Sequence, residues 1–352
     1  MKIYIILLAF ILLNIFLEVS FSYLIISRVK INTRKLSFFL CFISILIIGL
    51  MRSEYLGVDV ANYRNYFLKF YPSKDITFFL LNFKYDIGYV LLNKFVRLFT
   101  SNFRIFENIV FCISFCIFSY IIYKKSSYPA LSFLVYIGLG FLGTNLCILR
   151  QSIACSICFL GFDFLKRNKK LFYFLLIFLA ISFHKTAIFF ILSYVITDTN
   201  YKKIMLIKKN ILILIAILGS MYVIPHLYKF YSNDYSNTSV SGNGYNLLLF
   251  YITVSFILSI IIDQKNVRDE IKDYEGSFGS IYLQIGALSF SLFARVTRYF
   301  ELIYTMSVPN IIYRSKYSRF YAFVFSIIFS ILYIYGLIKD GCQIVPYVFF
   351  FM

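Results

Sequence analysis

Long runs of apolar residues dominate the chain, and short polar or basic stretches separate them. The first run covers residues 3–26, where Asn14, Glu18 and a few hydroxyl residues are the polar interruptions. Runs of 18 or more apolar residues are typical of helices that cross a membrane, whereas buried helices of soluble proteins have shorter ones. The pattern therefore predicts an all-α, polytopic membrane protein.

Composition supports this prediction. The 352 residues are 61% hydrophobic and 14% charged, against about 25% charged residues in a soluble domain. The first run has no Ala-x-Ala-like cleavage site, and it is longer than the apolar core of a signal peptide, which has about 7–15 residues. We therefore interpret it as a first span that the protein keeps.

Short clusters of Lys and Arg alternate with the apolar runs and indicate which span ends face the cytoplasm. They occupy residues 28–35, 124–125, 166–170, 202–209, 265–272 and 314–319. With all six inside, we predict a single transmembrane domain over residues 1–352, with an external region at about 52–102. Its about twelve membrane segments are predicted at residues 3–26, 36–51, 103–123, 129–145, 148–165, 171–183, 186–197, 210–226, 246–262, 278–294, 300–313 and 320–338.

The segment from 171 to 197 needs a special arrangement, because basic residues flank it on both sides. We interpret it as a hairpin of two short helices, at residues 171–183 and 186–197, that turns at His184 and Lys185. Each helix is shorter than the about 17 residues that a full span needs, so other helices or water must surround the turn. The alternative is one long span, which would leave residues 202–209 outside and invert everything downstream.

The predicted external region contains a segment with helical periodicity. Residues 86–99 are mainly apolar, and Asn93, Lys94 and Arg97 supply a polar face. This pattern predicts an amphipathic helix that lies at the membrane interface.

The net charge of +19 does not indicate a nucleic-acid partner, because the basic residues sit in the clusters between spans. Cys155 and Cys158 have a C-x-x-C spacing, but they lie in an apolar run of a chain with two His, so we interpret them as small apolar side chains. The sequence also has no Asp-x-Asp and no glycine-rich phosphate loop. We therefore predict no metal and no cofactor, and a sugar donor attached to lipid rather than to a nucleotide.

Several polar side chains fall at the predicted external ends of the spans, and their chemistry suggests a phosphate or pyrophosphate ligand. Guanidinium groups match phosphate oxygens, while a carboxylate and an imidazole are candidate general bases. Tyrosine rings could stack on sugar faces or lie at the interface. The candidates are Arg150, Asp59 and His184 for catalysis, and Arg52, Tyr63, Tyr66, Tyr89, Gln151, Arg295 and Arg298 for substrate binding.

Several of these side chains also have an ordinary structural interpretation. Arg52 could anchor a span end by extending its charge to the interface. Asp59 could cap a loop, and His184 could be a packed histidine with its hydrogen bonds satisfied. Arg298 could form an i,i+3 ion pair with Glu301.

Five segments between residues 52 and 310 resemble the EpsG-like polysaccharide polymerases, and they follow one another in the family's order. The first resembles the family's Arg…Gly-x-Asp-x-x-x-Tyr-x-x-Tyr and the fourth its Ala-x-x-Phe-His-x-Ser-Ala, with Thr186 in place of the usual Ser. Either Arg295 or Arg298 could match the late Arg. The segments are Arg52 to Tyr66, Gly88-Tyr89 with Asn93, Leu149-Arg150-Gln151 with Ala154, Ala180 to Ala187, and Arg298-Tyr-Phe with Pro309.

The resemblance implies a Wzy-type O-antigen or exopolysaccharide polymerase of the bacterial inner membrane, with a fold similar to the GT-C glycosyltransferases. Such an enzyme joins repeat units carried on undecaprenyl pyrophosphate at the periplasmic face, and a chain-length regulator is a possible partner. Arg150, with Arg295 or Arg298, would stabilise the leaving pyrophosphate, and Asp59 or His184 would accept the acceptor's proton. The alternatives are a flippase or transporter of lipid-linked oligosaccharides and an O-antigen ligase.

Overall fold

Helices make up most of the described chain. The computed structural model describes residues 1–26, 29–69, 77, 85–197, 243–262, 268–288 and 292–351. The helices are α1 (Lys2–Ser20), α2 (Thr33–Met51), α3 (Val60–Lys69), α4 (Ile87–Arg97), α5 (Phe103–Lys125), α6 (Pro129–Gly138), α7 (Phe141–Cys147), α8 (Leu149–Lys166), α9 (Lys170–Phe183), α10 (Leu192–Ile196), α11 (Asn243–Ile262), α12 (Arg268–Ala287), α13 (Leu292–Glu301), α14 (Tyr304–Arg314) and α15 (Ser318–Lys339).

Several of these helices are long and apolar enough to cross a membrane. In the described ranges they are five, namely α1, α2, α5, α11 and α15, or six if the bent pair α6–α7 is one span. The all-α, multi-pass prediction is therefore confirmed. The count of twelve stays a prediction, because the segments predicted at 148–165, 278–294 and 300–313 are not among these helices. The segment predicted at 210–226 and the basic cluster at 202–209 lie outside the described residues.

The N-terminal span is shorter than the prediction of residues 3–26. Helix α1 ends at Ser20, and strand β1 (Tyr23–Ile26) pairs antiparallel with β2 (Val29–Asn32). Aromatic and β-branched residues occupy five of the eight positions in the two strands, and these residue types favour the pleated conformation. This part of the prediction was wrong because an apolar run that continues into a strand has the same hydropathy as one that stays helical.

The short hairpin has its turn where it was predicted. Helix α9 ends at Phe183, and a 3₁₀ helix (Lys185–Ile191) leads into α10. The ammonium group of Lys170 donates to the hydroxyl of Tyr194 at 2.8 Å, so the chain returns to the end of the molecule at which α9 began. One long span over this segment is excluded by this contact.

The basic clusters that lie in the described ranges meet at one end of the molecule, which we call the Lys125 end. Arg34 donates to the carbonyl groups of Tyr123 and Ser126, each at 2.7 Å from Nη2. Further ion pairs there are Lys125–Asp163 (3.6 Å), Lys166–Asp273 (2.6 Å) and Arg314–Glu270 (2.6 Å). At this end Glu18, which has no role in the sequence prediction, accepts from the N–H of Ala130 at 3.0 Å and caps α6.

The opposite end, which we call the Arg150 end, lies one length of α8 away. With 18 residues α8 is about 27 Å long, close to the thickness of a hydrocarbon core. A C-terminal tail, residues 340–351, packs there on the end of α2. The N–H of Ser53 donates to the carbonyl of Val348 at 2.9 Å, and the N–H of Phe350 to that of Met51 at 3.0 Å.

The orientation of the two ends in the membrane can be tested at the hairpin. Lys185 is exposed at its tip and Lys169 is exposed just before α9. In a background without cysteine, Lys185→Cys is expected to react with an impermeant maleimide applied from the periplasm, because the positive-inside rule places the Lys125 end in the cytoplasm. Lys169→Cys is the matched control and should react only after permeabilisation. The reverse labelling pattern would invert the predicted topology.

Candidate functional site

Arg150 forms the centre of a polar site at the Arg150 end. It lies in the first turn of α8, and its Nη1 is 3.0 Å from Oδ2 of Asp86, the residue that precedes α4. The guanidinium also lies 4.6 Å from the ring centroid of Tyr85, and its charge acts on the Tyr63 hydroxyl. Two separate segments, α3 and the residues just before α4, therefore surround this planar group.

A close approach of two helices brings Asp86 to this position. A Cβ on Gly88 would lie 2.4 Å from Oγ of Ser182, so only glycine lets α4 pack this tightly against α9. Burial raises the pKa of Asp86, although the positive charges of Arg150 and Lys185 act in the opposite direction. The Asp86 carboxylate therefore interacts with the positive charges of Arg150 and of Lys185 at the tip of the hairpin.

His184 shares the site with two hydroxyl groups. Its Nδ1 lies 2.7 Å from Oγ1 of Thr186 and 3.3 Å from the hydroxyl of Tyr299, and these hydroxyls are 3.0 Å apart. Burial, together with the charges of Arg150 and Arg295, lowers the pKa of His184 to about 4. The imidazole is therefore neutral near pH 7, where it can exchange hydrogen bonds but binds a proton weakly.

The two late arginines occupy different places, although both lie in α13. Arg295 is exposed and its charge acts on His184, while its carbonyl accepts from Nε2 of Gln151 at 2.6 Å. Gln151 therefore joins α8 to α13 through the backbone. The charge of Arg295 therefore reaches His184.

Arg298 instead binds at the bend between α6 and α7. These helices meet at 62°, and Gly140 between them has a φ of +78°. Arg298 donates to the carbonyl of Leu139 at this break and pairs with Glu301 at 2.8 Å. The i,i+3 ion pair that the sequence left open is thus present, and the guanidinium charge is balanced within α13.

Arg52 lies deeper than a substrate-binding residue would. Its side chain is 1% exposed, donates to the carbonyl of Leu146 and lies 3.2 Å from the carboxylate of Glu107. The two charges are close, but they are not aligned for a hydrogen bond. Arg52 joins α2, α5 and α7 in this structure, so its predicted contact with substrate is replaced by a contact inside the protein.

The tyrosines predicted to bind sugar pack against one another instead. Tyr63, Tyr66 and Tyr89 are at most 4% exposed. Tyr66 meets Tyr85 edge-on at 4.6 Å, and Tyr63 meets Tyr89 at 5.6 Å. These rings pack behind the Tyr85 ring that contacts Arg150. Their own ring faces are covered by other residues of the protein, where a sugar would have to stack.

Asp59 lies at the edge of the site, directly before α3. It is half-buried, and its charge acts on Tyr63 and Tyr85 on one side and on Cys147 and Cys342 on the other. The adjacent N–H of Val58 donates to the carbonyl of Cys342 at 3.0 Å. Asp59 is thus between the Arg150 cluster and the C-terminal tail.

Sequence reasoning missed two members of this site, Asp86 and Tyr85. Asp86 is the first residue of the predicted amphipathic segment. A carboxylate next to an apolar segment that contains Gly88-Tyr89 could have indicated a site residue. Among the described residues, no group of three His, Cys, Asp or Glu side chains is close enough together to hold a metal ion. The cluster contains two arginines (Arg150 and Arg295), the half-buried carboxylate of Asp59 and the neutral imidazole of His184. Such a set can bind an anion next to a hydroxyl group that loses its proton.

The comparisons with known proteins identify a family. The model of the EpsG family matches residues 34–349, which include every residue of the site described above. No curated protein matches the chain, and no solved structure does. The predicted likeness to GT-C glycosyltransferases therefore stays a prediction. From the match over nearly its whole length, the chain belongs to the EpsG family.

Proposed function

We propose that this protein is a membrane-bound polysaccharide polymerase that transfers a growing glycan from undecaprenyl pyrophosphate onto a lipid-linked repeat unit at the periplasmic face. The observation that carries the proposal is the site around Arg150, where Arg150, Arg295, Asp59 and His184 come from separate segments of a chain of the EpsG family. The membrane helices supply the surroundings that two polyprenyl tails require.

The reaction is a displacement at the anomeric carbon of the growing glycan. The oxygen of an acceptor hydroxyl forms the new bond to this carbon, and the bond from the carbon to the pyrophosphate oxygen breaks. The electron pair leaves with undecaprenyl pyrophosphate, and the hydroxyl proton passes to a protein base and then to water. Because the leaving group is already an anion, it needs charge stabilisation more than a proton.

The side chains divide these tasks in our proposal. Arg150 and Arg295 bind the pyrophosphate oxygens, with Arg150 aimed by Asp86 and stacked on Tyr85. Asp59 accepts the proton, because Nδ1 of His184 is engaged by Thr186, while Asp59 lies half-buried at the edge of the site. His184 then acts as a neutral hydrogen-bonding group toward substrate.

Deleting the gene tests the proposed activity. We expect deletion to leave single repeat units attached to the lipid A core, because ligation continues while elongation stops. The measurement is the ladder of surface glycan lengths on a gel, with a plasmid copy of the gene as the control. Complete loss of glycan from the core would instead indicate a ligase.

A flippase is the alternative that one structural feature favours. Broken helices are typical of transporters, and α6–α7 is bent by 62°. Helix α6 has 10 residues and extends about 15 Å from the Lys125 end, so its break lies at a depth that a transport site could also use, and Arg298 donates to the carbonyl of Leu139 there. Deletion of a flippase would trap lipid-linked units on the cytoplasmic leaflet, which a leaflet-specific labelling of these lipids would detect.

A further inference from the structure

A second polar cavity lies beside the Arg150 site and has no role in the function proposed so far. It has a volume of about 360 Å³ and lies between the bend of α6–α7, the end of α15 and the C-terminal tail. Its charged side chains are Arg298, Lys339 and Asp340, and five of its lining residues are glycines. Cavities of about 300–1,000 Å³ are the usual size for small ligands.

The charges of this cavity favour a neutral polar ligand. Glu301 lies 2.8 Å from Arg298, so the guanidinium offers hydrogen-bond donors with little net charge. Asp340 accepts from the N–H groups of Ile344 and Val345 at 2.8 and 3.0 Å, and is used to hold the tail. A pyrophosphate would require more unbalanced cations, and a polyprenyl tail would require a lining without charge.

The lining also has the mixed character that a sugar ring needs. Glycines and the aliphatic side chains of Ile137, Leu142 and Ile344 can meet the C–H faces of a pyranose, while Arg298 can donate to its hydroxyls. Because Gly140 has no side chain, a pyranose ring can come close to Arg298. A Cβ on residue 140 would lie 3.6 Å from Nη2 of Arg298 and would take up this space.

The cavity also adjoins the Arg150 site at the junction of α7 and α8. Ile148 forms part of its wall and is two residues before Arg150, so the α7–α8 junction separates the two sites. The charge of Asp59 acts on Tyr85 beside Arg150 and on Cys342, which lines the cavity. A ring in the cavity would therefore lie next to the α7–α8 junction, beyond which the Arg150 site begins.

We infer that this cavity, lined by Gly140, Arg298 and Gly336, binds the terminal sugar of the acceptor glycan. The inference rests on the proposed polymerase function and adds to it a separate subsite for the acceptor. It also gives the two late arginines different ligands, with Arg295 on the pyrophosphate and Arg298 on the acceptor sugar.

Gly336 allows a direct test. It lies in α15 and lines the cavity, and no atom is within 4 Å of the position of a Cβ, so a larger side chain can be introduced there without a clash. Gly336→Leu is expected to raise the KM for acceptor on the order of 10-fold or more, because it occupies the space of the sugar. Gly336→Ala is the matched control, since it removes the same glycine but leaves most of the cavity open.

The assay uses purified full-length protein in lipid nanodiscs. An undecaprenyl-pyrophosphate-linked repeat unit is the donor, and a fluorescent repeat-unit glycoside without pyrophosphate is the acceptor. Saturation-transfer NMR with the free repeat-unit oligosaccharide reports binding without turnover. An unchanged acceptor KM and an unchanged NMR signal in Gly336→Leu would overturn the subsite. If the wild-type protein binds the oligosaccharide but never transfers glycan, the proposed function fails and the subsite stands.

Discussion

Replacing Arg150 by alanine is expected to lower the rate of polymerisation on the order of 100-fold, with a normal amount of protein in the membrane. The guanidinium would stabilise charge that develops on the leaving pyrophosphate, and one such contact is worth about 3 kcal/mol. Arg150→Lys should lose most of the activity too. An ammonium keeps the charge opposite Asp86, but it loses the planar group that contacts Asp86, Tyr63 and Tyr85 together.

The measurement is the initial rate of chain growth in nanodiscs, with immunoblots of membrane fractions for protein level. Asp86→Asn is an informative companion, because it keeps the side-chain volume and removes the charge that orients Arg150. We expect a loss of about 10-fold in kcat with little change in melting temperature, because Asp86 does not contact the substrate but orients Arg150, which does. Long glycans of wild-type length in Arg150→Lys would show that Arg150 only anchors a span end, since lysine does this equally well.

The sequence was sufficient to predict the membrane helices and the position of the short hairpin, because both depend on local patterns. Apolar length defines a span, and basic residues on both flanks require the chain to turn back. The end of α1 could not be found in this way, since the residues of β1 continue the apolar run. The pairing of β1 with β2 is what separates the strand residues from the helix, and a hydropathy pattern contains no information on strand pairing.

The site was predicted in part, for a related reason. Charged residues near span ends are visible in a sequence, and Arg150, His184 and Arg295 do come together. Their partners depend on packing between distant segments. Asp86 is 64 residues from Arg150 and reaches it because Gly88 lets α4 approach α9. The same limitation explains Arg52, whose ion pair with Glu107 requires α2 and α5 to be adjacent.

The ion pair of Arg52 and Glu107 leads to the largest expected effect on stability. Both side chains are 1% exposed, and both carboxylate oxygens of Glu107 have no hydrogen-bond partner among the described residues. Removing one member of a buried pair leaves an uncompensated charge, which costs about 3–5 kcal/mol. Arg52→Ala is therefore expected to lower the melting temperature in detergent strongly and to reduce the amount of protein in the membrane.

The double variant Arg52→Met with Glu107→Leu separates a structural role from contact with substrate. Apolar residues of similar volume can replace a buried ion pair with little loss of stability. The cost that remains is the hydrogen bond to the carbonyl of Leu146, about 1 kcal/mol. We expect the double variant to regain most of the melting temperature and most of the polymerase activity, because the apolar pair restores the packing between α2 and α5 and no contact of Arg52 with substrate is needed. A double variant that is stable but inactive would show instead that Arg52 contacts the substrate, and the burial of its side chain would then have to change during the reaction.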